Sequence, residues 1–398
     1  MNGKLKAVVS GIALVTCVAA CSQTTEVTTT DLEDVVARDG VPFVAQSIPE
    51  EVLDRLSQHK LVLVGETHLI WEHQEMMSEL VRALHERGFR QLLLEWPHMA
   101  DWVLTDFVQN TQLEPDWQPP GWFYSALIAA VRDFNRTLPQ AERVAVRGID
   151  MNLQDYGGAQ DFKGSLRGLS HHLTDPGPVA AFLQGDYSTS EAQVEQLETL
   201  RAALETGRSS LIGSWGQYWY ETVIEMVEVE RASVPIRAMR EDRYDLTVRM
   251  RESVMKLLAD ARLRGYEHRT LMNVGGNHAQ KEYLKGTDQE WLGDYLVHQS
   301  DAVGGSSIVL TVTPARIVSG SGSGSADFDV TDASPENELW RTMSETWPGQ
   351  IVFLPVDDPV FLADGVPMNF EGTIYVGSPK RHYDVFLLLP LAHRVPLP

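Results

Sequence analysis

Four apolar residues, Leu61 to Val64, stand together and run into Gly65, where the backbone can turn without a Cβ penalty. A run that short and unbroken reads as a strand buried on both faces, as the strands of parallel sheets are. The period then changes. Met76, Leu80, Val81 and Leu84 recur at helical spacing between about Trp71 and Arg87, and Gly88 falls where a helix C-cap is expected. A second apolar run, Gln91 to Leu94, ends in Glu95. A helix over about Ser125 to Asn135 leads to a third run, Val144 to Ile149, which ends in Asp150. Three strand–loop–helix units in succession predict an α/β fold, with a mostly parallel central sheet flanked by helices. A short amphipathic helix, Pro49 to Gln58, precedes the first strand.

From about Asp161 to Arg264 the pattern is helical. Glu191–Thr206, Tyr218–Glu230 and a long third helix, Arg237–Leu263, read as an insertion over about 160–264 that covers the carboxyl edge of the sheet. Strands resume at Thr270–Val274 and Ser306–Val312. The runs Ile351–Leu354, Thr373–Val376 and Val385–Leu389 read as closing strands of the same domain, which spans 46–398. Trp102, Trp117, Pro119, Pro120 and Trp122 mark one aromatic connection. Ser319–Ser325 is a pure Ser/Gly run and reads as a surface loop.

The N-terminus changes the picture of where the chain works. Lys4 and Lys6 form a positive start, and Ala7 to Ala20 is an apolar stretch ending in small residues, the architecture of a secretory signal over residues 1–20. Val18-Ala19-Ala20-Cys21 has the pattern of a bacterial lipoprotein cleavage site, with Cys21 as the lipidated residue. Ser22 next to it resembles outer-membrane sorting. The polar, Thr-rich segment that follows, to Gly40 and on to about residue 45, reads as a flexible tether. The expectation is a cell-envelope lipoprotein, held to the outer membrane by its lipid alone. The chain has two cysteines, Cys17 and Cys21, which leaves no disulfide, thiol nucleophile, zinc–thiolate site or iron–sulfur cluster for the folded body. The formal charge of −22 becomes −24 once Lys4 and Lys6 leave with the signal. Such an acidic surface excludes nucleic acid as a partner.

Candidate chemistry lies at strand ends. Glu66 and His68 follow the first strand, Glu95 the second and Asp150 the third, and Gly275-Gly276-Asn277-His278 follows Thr270–Val274. In open α/β sheets these carboxyl ends frame the ligand crevice. Glu66 and His68 could alternatively cap the next helix. Two histidines with Glu66 and Glu95 can activate a water by general base catalysis, a carboxylate fixing the imidazole tautomer, or can hold a metal through nitrogen and oxygen. Other chemistries lack their signatures. There is no Gly-x-Ser-x-Gly elbow, no His-Glu-x-x-His, no phosphate-cradling Gly-x-x-x-x-Gly-Lys, and Gly275-Gly276 lacks the third glycine of a dinucleotide loop. His171-His172 reads as solvated loop, and Trp215, Tyr218, Trp219 and Tyr220 as helix packing. The run Arg237 to Asp245 reads as a solvated charged face, or as placing Arg240 over the crevice.

These motifs together resemble the erythromycin-esterase-like proteins, within a superfamily that includes TIKI proteases and ChaN-like haem-binding lipoproteins. The resemblance rests on Gly65-Glu66-Thr67-His68, on Leu80, Leu84 and Gly88-Phe89 before Glu95, and on Arg132-Asp133-Phe134-Asn135 with Val146-Arg147-Gly148-Ile149-Asp150. Arg240-Glu241, Asn277-His278 and Tyr383-Asp384-Val385-Phe386 complete it. It implies a hydrolase that cleaves an ester or amide of a small-molecule substrate with activated water and needs no cofactor. His68 would be the general base, Glu66 and Glu95 would orient or polarise, and His278 and Arg240 would assist. Asp150, His73 and Asn277 would contact substrate. One departure concerns the later loop: Ala279, Gln280 and Lys281 follow His278, so the family's second histidine three residues on is missing. The resemblance also implies two alternatives. One is a ChaN-like protein binding haem or iron. The other is a TIKI-like protease with a divalent metal on Glu66, His68, Glu95 and His278.

Overall fold

The computed structural model describes residues 28–109, 124–152, 162–185, 189–239, 244–282, 289–318, 328–330, 334, 337–362, 366–370 and 373–395. Strands β1 (Val41–Phe43), β2 (Leu61–Glu66), β3 (Phe89–Pro97), β4 (Ala145–Asp150), β5 (Arg269–Gly275), β6 (Ser307–Pro314), β9 (Ile351–Pro355) and β12 (Val385–Leu389) build one sheet, in the order β1-β9-β12-β6-β2-β5-β3-β4. The six strands from β12 to β4 run parallel. β9 runs against β12, and β1 runs against β9. Strands β7 (Arg316–Val318), β8 (Phe328–Asp329) and β13 (Ala392–His393) form a small second sheet, and β10 (Val366–Phe370) pairs with β11 (Thr373–Gly377).

The unbroken apolar runs follow from burial on both faces. Leu61 and Leu63 of β2 join one core layer, with Leu93 of β3 and Met272 and Val274 of β5. Val62 and Val64 join the other, with Leu92, Leu94 and Leu271. Fully burying each such side chain contributes about 1.5–3 kcal/mol. The second layer is closed by helices α2 (Glu50–Ser57), α3 (Trp71–His85), α4 (Asp101–Gln109) and α5 (Ser125–Asn135). After β4 come α6 (Phe162–Ser170), α7 (Gly177–Leu183), α8 (Ser190–Thr206), α9 (Arg208–Trp215) and α10 (Gln217–Met239). They share a third core with Met99, Trp102 and Val103. α11 (Tyr244–Leu263) returns to the sheet, where Val254, Met255, Leu258 and Ala259 join the first layer. The helical insertion is therefore as the periodicity predicts.

Several expectations are corrected. The segment read as a tether holds α1 (Thr29–Asp39) and β1. Thr28 and Asp31 form a capping box, and Leu32, Val35 and Val36 pack with Leu339, Trp340 and Met343 of α13 (Glu338–Thr346) in the first core layer. Arg237 lies in the last turn of α10 and does not start the third helix. Thr373–Val376 pairs only within the β10–β11 hairpin, outside the main sheet. Gly65 makes no turn: it is a strand residue, and a Cβ there would lie 2.9 Å from Ala279 Cβ and 3.0 Å from Gly276 Cα. The glycine lets α12 (Gly276–Ala279) lie against the end of β2. His172 is exposed as expected, yet it stacks on Trp219 with centroids 4.9 Å apart. The signal segment with Cys21, the residues Trp117, Pro119, Pro120 and Trp122, and the run Ser319–Ser325 lie outside the described residues. Among the described residues no helix is long and apolar enough to cross a membrane.

Candidate active site

Strand register brings the candidate residues to one level. Glu66 is paired with Gly275 across β2 and β5, and Leu94 with Asn273 across β3 and β5, so Glu95 comes beside them near the carboxyl end of β3. The chain leaves β2 toward β3 and leaves β5 toward β6, on opposite sides, which makes this the crevice between diverging connections.

Glu66 is the hub. Its carboxylate is 3% exposed and takes four donors. Oε1 accepts from His68 Nδ1 at 2.9 Å and from Tyr124 OH at 2.7 Å. Oε2 accepts from Asn273 Nδ2 at 2.7 Å and lies 3.1 Å from His73 Nε2. Burial pushes the Glu66 carboxyl up, but the hydrogen bonds and charge of His68 and His73 outweigh it and hold the group well below the usual carboxylate range. A carboxylate only accepts, so His68 Nδ1 carries a proton, and in the neutral ring Nε2 keeps the lone pair. His73 Nε2 faces Asn273 Oδ1 at 2.7 Å as well as Glu66, so it too donates. His73 is buried and holds Glu66 in place. The first turn of α5, which follows Tyr124, is held by α3: Gln74 Oε1 accepts from Ala126 N at 3.2 Å and Leu127 N at 3.4 Å.

The His68 ring is 36% exposed, and its Nε2 lies 3.9 Å from Glu95 Oε2. That is too far for a direct hydrogen bond. Gly275 permits the approach. A Cβ there would stand 2.8 Å from His68 Nε2 and 3.2 Å from Glu95 Oε2, and the Gly275 N–H donates to the same Glu95 oxygen at 2.6 Å.

Glu95 is buried beside two cations. Arg251 Nη2 contacts its Oε1, and His278 Nε2 lies 3.4 Å from the same oxygen. Burial opposes its ionisation, and the charges of His278, Arg251 and His68 prevail, so its carboxyl is held well below the usual range. Arg251 also grips Asp150, Nε to Oδ1 at 2.9 Å and Nη2 to Oδ2 at 2.6 Å. His278 Nδ1 contacts Glu252 Oε1, while Glu252 Oε2 accepts from Leu292 N at 2.8 Å. Burial alone would favour the neutral imidazole, but Glu252 and Glu95 raise His278 to about 10, so it is an imidazolium at neutral pH.

Thus the structure brings together Glu66, His68, Glu95, Asp150, His73 and His278. Asp150 is buried, and its carboxylate accepts from Met151 N at 2.7 Å and from Arg251. Asn277 is exposed on α12 and accepts from Gln280 Nε2 at 3.1 Å. Arg240 lies outside the described residues, and the arginine seen at the site is Arg251. Sequence reasoning missed Arg251, Glu252, Asn273 and Tyr124. A signal for the first two existed: each stands three residues before a buried apolar residue of α11, Arg251 before Val254 and Glu252 before Met255. Asn273 is the polar residue inside an apolar strand.

The four residues named for a metal do not fit one. Glu66 is saturated by four donors, Glu95 is taken by Arg251 and the Gly275 N–H, and both nitrogens of His278 face carboxylates. Among the described residues no three His, Cys, Asp or Glu side chains converge as a metal set.

No family model matches the chain, and no curated protein matches it. Solved structures do share its fold. A Bacillus cereus protein superposes with a TM-score of 0.70 at 12% identity, over 94% of this chain and 100% of that one. A succinoglycan biosynthesis protein gives 0.69 at 14% identity, over 93% and 99%. A histidine-to-asparagine variant of the erythromycin esterase EreC, in its open conformation, gives 0.62 at 14% identity, over 87% and 94%. The chain therefore has the α/β fold on which an erythromycin esterase is built.

Proposed function

We propose that the protein is a hydrolase that cleaves an ester or amide bond by direct attack of water, with His68 as general base. The observation that carries this reading is the Glu66–His68 pair: a buried, ionised carboxylate fixes the Nδ1–H tautomer of a half-buried histidine at the carboxyl end of a parallel sheet. The unprotonated Nε2 then faces the crevice beside Glu95 Oε2. One water can donate to both. With each acceptor about 2.8 Å from its oxygen, its two O–H directions diverge by roughly 90°, close to the angle between water's own bonds. Its lone pairs are left to attack an acyl carbon.

As attack proceeds, one water proton moves to His68 Nε2. The imidazolium that forms lies between Glu66 and Glu95, and both carboxylates stabilise it. When the tetrahedral intermediate collapses, Nε2–H returns the proton to the leaving oxygen or nitrogen. Arg251 and His278 keep Glu95 ionised for this purpose. They position and charge the site and do not touch the reacting atoms. The fold shared with an erythromycin esterase supports a hydrolase, and the substrate stays at the level of a small molecule with an ester or amide.

Direct attack makes a specific expectation. The chain from Thr28 onward should turn over a nitrophenyl ester without a burst and without a mass adduct on the protein, and a chelator should leave the rate unchanged. An acylated protein would contradict direct attack, and loss of activity on chelation would point to the metalloprotease alternative. We further propose that the folded body is tethered to the outer membrane through lipid on Cys21. Labelled fatty acid should enter the full chain and not its Cys21→Ser variant, and equal labelling of both would refute the anchor.

A further inference from the structure

His68 sits in a turn that its own strand does not hold. β2 ends at Glu66 and α3 starts at Trp71, and between them Leu69 adopts a φ of 64°, a left-handed conformation that L side chains rarely take. The turn is held by a segment more than three hundred residues away in sequence. Arg394 Nη1 donates to the His68 carbonyl at 3.1 Å, and Val395 N donates to the Leu69 carbonyl at 2.8 Å. Ile70 and Arg394 form an antiparallel bridge. One turn further on, His393 N donates to Glu72 Oε2 at 2.7 Å, and the His393 ring contacts the other Glu72 oxygen. The segment is itself fixed: Ala392 and His393 pair with Ile317 and Val318 of β7, and Ala392 and Val395 are buried.

Every residue from His68 to Glu72 except Trp71 thus contacts this segment through a polar atom or a backbone bridge. The Thr67–Ile70 turn carries the imidazole whose Nδ1 must meet Glu66. We propose that Ala392–Val395 is a positioning element of the active site, and that Arg394 is the positioning residue that holds the His68 backbone so that its ring meets Glu66. This rests on the reading of His68 as general base.

Arg394→Met keeps the aliphatic stem and removes the donors, so it tests the contact with little loss of packing. Full chains carrying Arg394→Met and Arg394→Lys are compared with the parent in nitrophenyl ester hydrolysis and in the ring N–H proton spectrum. The His68 Nδ1 proton, bonded to a buried carboxylate, is assigned by its absence in His68→Asn. Arg394→Met should lower kcat about tenfold or more with KM little changed, as misplacement of a reacting group does, and should broaden or abolish the His68 resonance. Arg394→Lys should recover most of both. An unchanged resonance and unchanged kcat in Arg394→Met would overturn the proposal. If the parent shows no hydrolysis, the general-base reading fails, and the resonance alone still decides whether Arg394 positions His68.

Discussion

Arg251 holds Asp150 at two points, Nε to Oδ1 at 2.9 Å and Nη2 to Oδ2 at 2.6 Å, and the same Nη2 contacts Glu95. One guanidinium from the helical insertion therefore balances two buried carboxylates from adjacent strands. Removing it takes its guanidinium partner from buried Asp150 and leaves Glu95 with His278 and the Gly275 N–H. Arg251→Met should cost about 3–5 kcal/mol of stability in urea denaturation, the scale of a broken buried ion pair. Arg251→Lys keeps a charge but loses the planar fork, so it should recover only part. A loss below about 1 kcal/mol in the Met variant would mean that the insertion is not clamped to the sheet by charge.

His278 makes stability depend on pH on the alkaline side. Its ordinary value is 6.5, and Glu252 and Glu95 raise it to about 10 in the folded protein. The folded state therefore binds its proton more tightly than the unfolded state does. That stabilisation is fully present below about pH 6.5 and is lost as pH rises toward about 10. The parent should lose stability between these limits, and His278→Gln should show a flatter profile over the same window. Parallel profiles in the two proteins would rule out the imidazolium assignment.

Gly275 has a φ of −56°, open to any residue, so only space argues for glycine there. Gly275→Ala would put its Cβ 2.8 Å from His68 Nε2 and push the ring from its place. The melting temperature should change by only a few degrees while ester turnover falls about a hundredfold. Turnover equal to the parent's would show that the ring has freedom which the site, as described, does not give it.

Leu32 is buried against the helix that carries Trp340. Leu32→Ala should cost roughly 2–5 kcal/mol, as a core truncation does. A value near zero would return this segment to the status of a tether.

The sheet was legible because a strand buried on both faces has no polar positions to blur it: Leu61–Val64, Gln91–Leu94 and Val385–Leu389 all lie where the apolar runs stand. Glu66, His68, Glu95 and His278 were legible for a related reason, since each lies within four residues of the end of such a run. α1 was not, because Leu32, Val35 and Val36 are sparse among threonines and acids and their burial depends on a helix three hundred residues on. Arg251 and Glu252 were hidden in a helix rich in charges, where Arg249 and Arg251 look alike in sequence and only the tertiary contact separates them. Gly65 shows the limit in another way: its importance was legible, but it serves close approach by Ala279 and not a turn.

The central claim is that His68, oriented by Glu66, is the base. Its most direct test is kcat/KM for a nitrophenyl ester, measured on the parent, His68→Ala and Glu66→Gln. The account predicts a fall of at least about a hundredfold in His68→Ala and a smaller fall in Glu66→Gln, where the ring loses its tautomer-fixing acceptor. His68→Ala turning over at the parent's rate would contradict it.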